Sequence, residues 1–435
     1  MDHAQAPVIE AIQRYRERGH LGFIPPGHKQ GRGVDPRLAE VVGRDVFASD
    51  IILMNGLDDR RMSQGVLAKA EELMADAVDA EEAYFSTCGS SLSVKSAMLA
   101  VAGPGDELLV SRNAHKSVLA GLIISGVRPV WVHPRWDGRF HLAHPPGPED
   151  VRDAFAAHPG AKGMLLITPT DYGGCAAIRE TARVCHDHDV PLIVDEAWGA
   201  HFPFHPDLPS WAMDADADMC VTSVHKMGCG LEQGSVFHLR GDRIDPQALA
   251  SRADLLGTTS PSALIFAGLD GWRRQMVQHG EELLGRALEL AASVRAELAA
   301  IPGSASWSGR TWSGRGWPTT TIRSRSCWTS RSWTGPATTR ANGCASTTGS
   351  TWDCPTTGGW PRRSRSPTTR RPRGGCSPRS ATWPTAPARS VPPNRSTCPS
   401  PANWSWSRRC CRATRSSVPP RTCRRRRRSG ACARR

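Results

Sequence analysis

The sequence predicts an α/β fold: a mainly parallel sheet with helices on both faces. Three observations carry this. Short, largely apolar runs bounded by turn residues recur from Ala83 onward, at Glu107–Val110, Val130–Val132, Gly163–Ile167, Pro191–Val194, Met219–Thr222 and Ser235–Leu239. Helical patterns separate most of them, as at Leu92–Val101, Ser117–Ser125 and Ile178–His186. Runs of this kind suit strands covered on both faces, which parallel sheets require.

The elements follow in order. Val8–Arg18 reads as a helix and leads into a Gly/Pro-rich loop, Gly22-Phe23-Ile24-Pro25-Pro26-Gly27-His28-Lys29-Gln30-Gly31. A second helical stretch starts near Val66 and runs through Lys69, Glu72, Leu73 and Ala77. Residues 273–300 form a long amphipathic pattern, with Leu283, Leu284, Ala287, Leu288, Ala291, Val294 and Leu298 on one face. It stops at Ile301-Pro302-Gly303, a plausible helix end. The expected divisions are a helix-and-loop segment (1–45), a large domain (46–270), a linker helix (271–303) and a tail (304–435).

Composition changes abruptly after Gly303. The 435-residue chain carries a formal charge of +14, but residues 304–435 hold 27 Arg, one acid (Asp353) and no Lys. The rest is therefore acidic, at −12. The tail has no Leu, Phe, Met, Tyr, Glu or His, yet it has 10 of the 15 Trp and 9 of the 14 Cys. Such a segment cannot build an ordinary core, and disorder is expected. Its cysteines follow no metal-ligand spacing, and no disulfide scaffold is read. No signal peptide opens the chain and no run approaches a spanning helix, so a soluble, cytoplasmic protein is expected.

Binding sites in parallel sheets form at the carboxyl ends of the strands. Four constellations lie there. Ser223-Val224-His225-Lys226 follows Met219–Thr222, with the small residues Gly228 and Gly230 close behind. Its lysine could be a nucleophile if partly desolvated, and Ser223 and His225 could bind phosphate. Asp195-Glu196-Ala197-Trp198 follows Leu192–Val194. Asp195 could bind a metal with His201 and His205, cap a helix, or pair with a cationic ring nitrogen. Ser86-Thr87-Cys88-Gly89-Ser90-Ser91 precedes a helix and offers free N–H groups to an anion, or an ordinary cap. His115, after Glu107–Val110, is either a loop histidine or a ring laid on a flat cofactor. Together the four describe a pyridoxal phosphate pocket without a metal: phosphate cradle, ring stacker, pyridinium carboxylate and Schiff-base lysine.

These stretches resemble the ornithine/lysine/arginine decarboxylases of fold type I, the aspartate-aminotransferase fold. The resemblance rests on Pro26–Gly31, Arg112-Asn113-Ala114-His115-Lys116-Ser117, Pro169-Thr170-Asp171-Tyr172-Gly173, Asp195-Glu196-Ala197, Ser223–Lys226 and Gly257–Ser262, and covers roughly residues 8–303. It implies a three-layer large domain and a pyridoxal 5'-phosphate held by Lys226 as an internal aldimine. It implies Asp195 on the pyridine nitrogen, His115 stacked on the ring, and Ser90, Ser91, Ser223 and His225 on the phosphate. It further implies that Thr259 and Ser260 reach a neighbouring subunit's cofactor in a homodimer or higher homo-oligomer.

The implied reaction is decarboxylation of a small-molecule substrate, a basic amino acid, through an external aldimine and quinonoid. Two departures from the family pattern, Cys88 and Trp198, bear on pocket geometry. A rival on the same scaffold is an aminotransferase or another lyase. A rival of another class is a nucleic-acid binder built on the Arg tail, with Arg424–Arg428 at its centre; a membrane partner is not expected.

The tail can also be read as a low-complexity linker or as a domain in the wrong frame. Taking the third base of each codon with the first two of the next turns Trp and Cys codons into Leu or Val codons. With permitted codons, Ala341–Pro361 then decodes to ordinary composition, a Leu-Arg-Glu helix pattern before a Leu-Ser-Asp-His strand. That resembles the family's C-terminal segment. The slip falls close to Gly303.

Overall fold

The computed structural model describes residues 1–53, 57, 65–138 and 141–301, and the backbone of five short segments between 304 and 353. The chain divides into two units, Met1–Gly359 and Trp360–Arg435, and the account below concerns the first. In chain order its helices are α1 (Pro7–Glu17), α2 (Pro36–Val42), α3 (Arg44–Ser49), α4 (Val66–Ala77), α5 (Ser90–Val101), α6 (Lys116–Ser125), α7 (Pro148–Ala157), α8 (Ile178–Asp187), α9 (Val224–Met227), α10 (Pro246–Leu256) and α11 (Ala263–Ala299). The strands are β1 (Glu82–Ser86), β2 (Glu107–Ser111), β3 (Arg128–Val132), β4 (Arg135–Asp137), β5 (Leu142–His144), β6 (Met164–Ile167), β7 (Gly174–Cys175), β8 (Leu192–Asp195), β9 (Met219–Ser223) and β10 (Ser235–Leu239).

Seven strands form the central sheet, in the order β1-β10-β9-β8-β6-β2-β3. Pairings from β9 to β3 are parallel, while β10 runs antiparallel to both of its neighbours. Side chains alternate across it. Leu109, Leu166, Val194 and Cys220 face one core, shared with residues of α1, α4 and α11. Leu108, Leu165, Ile193 and Val221 face the other, shared with α5, α6 and α10. Apart from the edge strand β3, which is mostly half-buried, the apolar runs of the sequence are therefore strands buried on both faces. The hairpin β4–β5 and the helices α2, α3, α7 and α10 are additions to that reading.

Helix α11 begins ten residues before its expected start and runs for 37 residues. Of the apolar stripe expected along it, Ala291 is buried, Leu284 and Leu288 pack partly against the core, and Leu283 is exposed. The earlier half is the better-buried one, with Phe266, Leu269, Trp272 and Met276 all in the core. There Asp270 and Arg273 are fully buried and paired at 2.8 Å. Arg273 also donates to the carbonyl oxygen of Gln5 at 2.5 Å. Asp270 accepts the N–H of Val8 at 2.9 Å. This pair pins the start of α1 onto α11.

Five segments within residues 304–435 are extended: β11 (Ser304–Ser306), β12 (Thr320–Thr321), β13 (Arg325–Ser330), β14 (Gly343–Ser346) and β15 (Thr351–Asp353). They form antiparallel pairs, β12 with β7 and the others in the order β11-β13-β14-β15. Ladder pairing of this kind needs only main-chain groups, which every composition supplies. The remainder of the expected tail lies outside the described residues. Among the described residues, no helix is long and apolar enough to cross a membrane.

Removing one partner of a buried ion pair strands the other charge. Asp270→Ala is expected to cost about 3–5 kcal/mol in urea unfolding. Asp270→Leu combined with Arg273→Met should recover most of that loss, because neither charge is then left behind.

Candidate active site

The carboxyl ends of β2, β8 and β9 bring three charged or titratable groups together. Asp195 ends β8 and is buried. Its Oδ1 accepts the N–H of Ala197 at 3.3 Å. Burial pushes its carboxyl above the usual range, while the charges of Lys226 and His115 act to lower it. Lys226 lies in α9, the single turn following β9. Its Nζ sits 4.4 Å from the centre of the Trp198 ring, within range of a cation–π contact. His115 caps α6, its Nδ1 accepting the N–H of Ser117 at 3.3 Å, and is exposed. Partial desolvation lowers its pKa, Asp195 opposes this, and Lys226 and Lys116 add to it. The structure thus brings Lys226, Asp195 and His115 within electrostatic reach of one another.

The phosphate-side residues gather at the start of α5. Gly89 precedes that helix with φ +71°, a left-handed conformation that suits glycine. Its N–H donates to the carbonyl of Gln233 at 2.9 Å, tying this turn to the one before β10. Ser223 Oγ donates to Ser90 Oγ at 2.8 Å, which joins the end of β9 to the first turn of α5. Ser91 follows, half-buried, in the same turn. His225 Nδ1 lies 3.0 Å from the carbonyl oxygen of Gly234, and its Nε2 is 3.9 Å from Glu232.

Behind Lys226 the chain passes too close to its neighbours for a side chain. A Cβ on Gly228 would lie 2.7 Å from the carbonyl oxygen of Val224 and 2.8 Å from Trp272 Nε1. Thr259 and Ser260 lie exposed in the loop after α10. Thr259 shares a cavity of about 190 Å³ with Thr87, Cys88 and Thr258. The N–H of Ser260 donates to Thr258 Oγ1 at 3.1 Å.

Three contributors carry no role in the sequence reading. Thr168 donates its N–H to the carbonyl oxygen of Asp195 at 3.1 Å and so braces that strand end. Trp198, noticed only as a departure, is the surface under the lysine amine. Glu196 is buried behind the pocket; a charged residue directly after an apolar strand was the available signal.

The arrangement fits pyridoxal phosphate. Asp195 is a buried carboxylate whose ionised form gains from a cation. Two hydroxyls and a helix start built on a left-handed glycine suit a phosphate. A half-buried lysine stands within the same field. This is the architecture of the fold type I pyridoxal-phosphate enzymes. The chain belongs to the Orn/Lys/Arg decarboxylase family: the family's major domain matches residues 6–340. The arginine decarboxylase of Halalkalibacterium halodurans is 37% identical over 299 residues, covering 69% of this chain and 61% of the relative. That of Bacillus subtilis is 36% identical over 303 residues, covering 70% and 62%. The lysine decarboxylase of Francisella novicida shares the fold with a TM-score of 0.66 at 20% identity, over 74% of this chain and 51% of that structure. The chain spans about three fifths of the length of the curated relatives it matches.

Two buried groups give the first unit a pH signature. Burial pushes Glu196 up from its ordinary 4.5 to about 8, and pushes His238 down from 6.5 to about 3. The folded state holds the Glu196 proton more tightly than the unfolded chain, so stability falls as pH rises from 4.5 to 8. It resists protonating His238, so stability falls as pH drops from 6.5 towards 3. The two slopes cancel between 4.5 and 6.5. Glu196→Gln is therefore expected to flatten the alkaline limb of the thermal-midpoint profile and to turn the level stretch between 4.5 and 6.5 into a continued rise, extending the acid limb to 6.5.

Proposed function

We propose that the chain is a pyridoxal-phosphate enzyme that removes the α-carboxyl of a basic amino acid: arginine, lysine or ornithine. The observation that carries the reading is the gathering of Lys226, Asp195 and His115 beyond the carboxyl ends of β9, β8 and β2 of one sheet. The family, and the names of the relatives as arginine and lysine decarboxylases, support the substrate class.

In this reading Ser90, Ser91, Ser223, His225 and the first-turn N–H groups of α5 hold the phosphate. Asp195 keeps the ring nitrogen protonated, and His115 lies on the ring. Pyridoxal phosphate bound there supplies an electron sink for the pair left when the carboxyl group departs from the substrate Cα. Lys226 Nζ makes the covalent attachment and must be neutral to do so. The Trp198 face favours the ammonium form, so it steadies the amine while the lysine is unattached. When not so attached, Lys226 Nζ would be an amine able to carry a proton within the site. Thr259 and Ser260, exposed on their loop, would in this reading meet a second copy of the chain.

The tail is read as a domain in the wrong frame, standing where the family's C-terminal segment would complete the site. Fresh sequence of the coding DNA across codons 295–315 tests this: one base gained or two lost relative to the sequence that encodes this chain restores the family's frame, and an unchanged sequence puts the slip in the gene itself. Purified as written, the chain should turn over poorly; normal turnover would overturn that reading.

Borohydride reduction with pyridoxal phosphate is expected to fix the cofactor covalently to the wild type. Lys226→Ala should abolish that attachment completely, with the fold intact by circular dichroism. Release of labelled CO2 from arginine, lysine and ornithine, tested separately, identifies the substrate. Formation of a keto acid in place of CO2 would replace decarboxylation with transamination.

A further inference from the structure

Glu196 follows Asp195 directly, yet the chemistry above leaves it without a role. Successive residues leaving a strand face opposite sides of the sheet. Its carboxyl accordingly lies on the Cys220 side, away from the pocket, and is fully buried. Oε2 accepts the N–H of Ala212 at 3.2 Å and the thiol of Cys220 at 3.3 Å. Oε1 is buried and has no hydrogen-bond partner. Glu196 also lines a cavity of about 200 Å³, together with Thr168, Cys175, Arg179, Glu180 and Ser210.

The same residue is the centre of the turn that carries the site. Its N–H donates to the Val221 carbonyl at 2.9 Å, and its own carbonyl accepts the Gly199 N–H at 2.8 Å. A Cβ on Gly199 would lie 2.5 Å from Glu196 Cγ, so the turn closes directly onto this side chain. Asp195 and Trp198 are both members of that turn.

We propose that Glu196 is the positioning residue of Asp195. Its carboxyl is protonated in the working protein and is the internal post on which the 195–199 turn closes. Loss of the proton opens that turn into the adjacent cavity. The inference rests on the reading that Asp195 grips the pyridine nitrogen.

The groups facing Glu196 agree with it. The Cys220 thiol on β9 and the Ala212 N–H favour the ionised form, while burial and the charge of Asp214 oppose it, and burial is the largest effect. Across the cavity, Arg179 is engaged with Asp216 at 2.5 Å, and Glu180 adds a second acid on α8. A protonated Oε1 can donate to a water in the cavity, which exceeds the roughly 15 Å³ that one water needs. An ionised one has no protein donor to meet it.

The test is the dissociation constant of pyridoxal phosphate for the full chain, by equilibrium dialysis from about pH 6.5 to 9.5. Wild type is compared with Glu196→Gln, which keeps the shape and cannot ionise. Titration of the cofactor and of Lys226 is common to both and cancels in their ratio. The wild-type constant relative to the variant is expected to rise by up to about tenfold per pH unit above 8. A ratio that stays constant across the range overturns the proposal. Should Glu196→Gln not fold, Cys220→Ala removes a donor that favours ionisation. The wild-type transition should then move to higher pH, and an unmoved transition overturns the proposal. A wild type that binds no pyridoxal phosphate at any pH ends the reading of Asp195 and this inference with it. That outcome is distinct from binding with a flat ratio.

Discussion

A carboxylate buried at the end of a parallel strand must be answered by positive charge. Asp195 is in that position. Its own turn supplies one N–H, and the lysine of the next strand and the histidine after β2 supply the rest of the field. Desolvation works against the charge of Asp195, so a cation delivered into the pocket gains more there than it would at the surface. The same field acts back on His115, which burial and two neighbouring lysines incline towards its neutral form. In the proposed function these groups would receive a flat, cationic, phosphate-bearing ring, Asp195 asking for positive charge and the start of α5 offering N–H and hydroxyl groups.

Holding these groups together is the work of residues with no chemistry of their own. The Ser90–Ser223 contact ties the helix start to the end of β9. The Gly89–Gln233 bond ties the same turn to β10. Gly228 lets the chain behind Lys226 pass between Val224 and Trp272, and Trp272 belongs to the well-buried half of α11. Two residues before it, Asp270 fixes the N-terminal helix to α11 through a buried ion pair. The pocket thus depends on close backbone packing that runs from the strand ends back through α11 to the start of the chain.

Asp195 and Glu196 show how one strand end makes two different acids from neighbouring carboxyls. Asp195 has Lys226 and His115 in reach. Glu196 faces the opposite core, with a thiol, one peptide N–H and an empty side. Burial acts on both in the same direction, and only the surroundings separate a group suited to charge from one suited to its proton.

The alternation of apolar runs with helical patterns was enough to define the α/β class. It did so because strands covered on both faces carry mostly apolar residues, and their ends fall where Asp195, Ser223 and Lys226 begin. The four constellations were legible for the same reason: reactive residues follow each apolar run, where chain order and spatial order agree. The break in composition after Gly303 was equally a property of the sequence. Tertiary structure alone decided which residues meet from distant segments. Ser90 bonds to Ser223, Gly89 to Gln233 and Thr168 to Asp195. The lysine amine rests on Trp198, and the Glu196 carboxyl turns beneath the site. Those contacts depend on strand order, register and the packing of α11, and local pattern carries no record of which strands become neighbours.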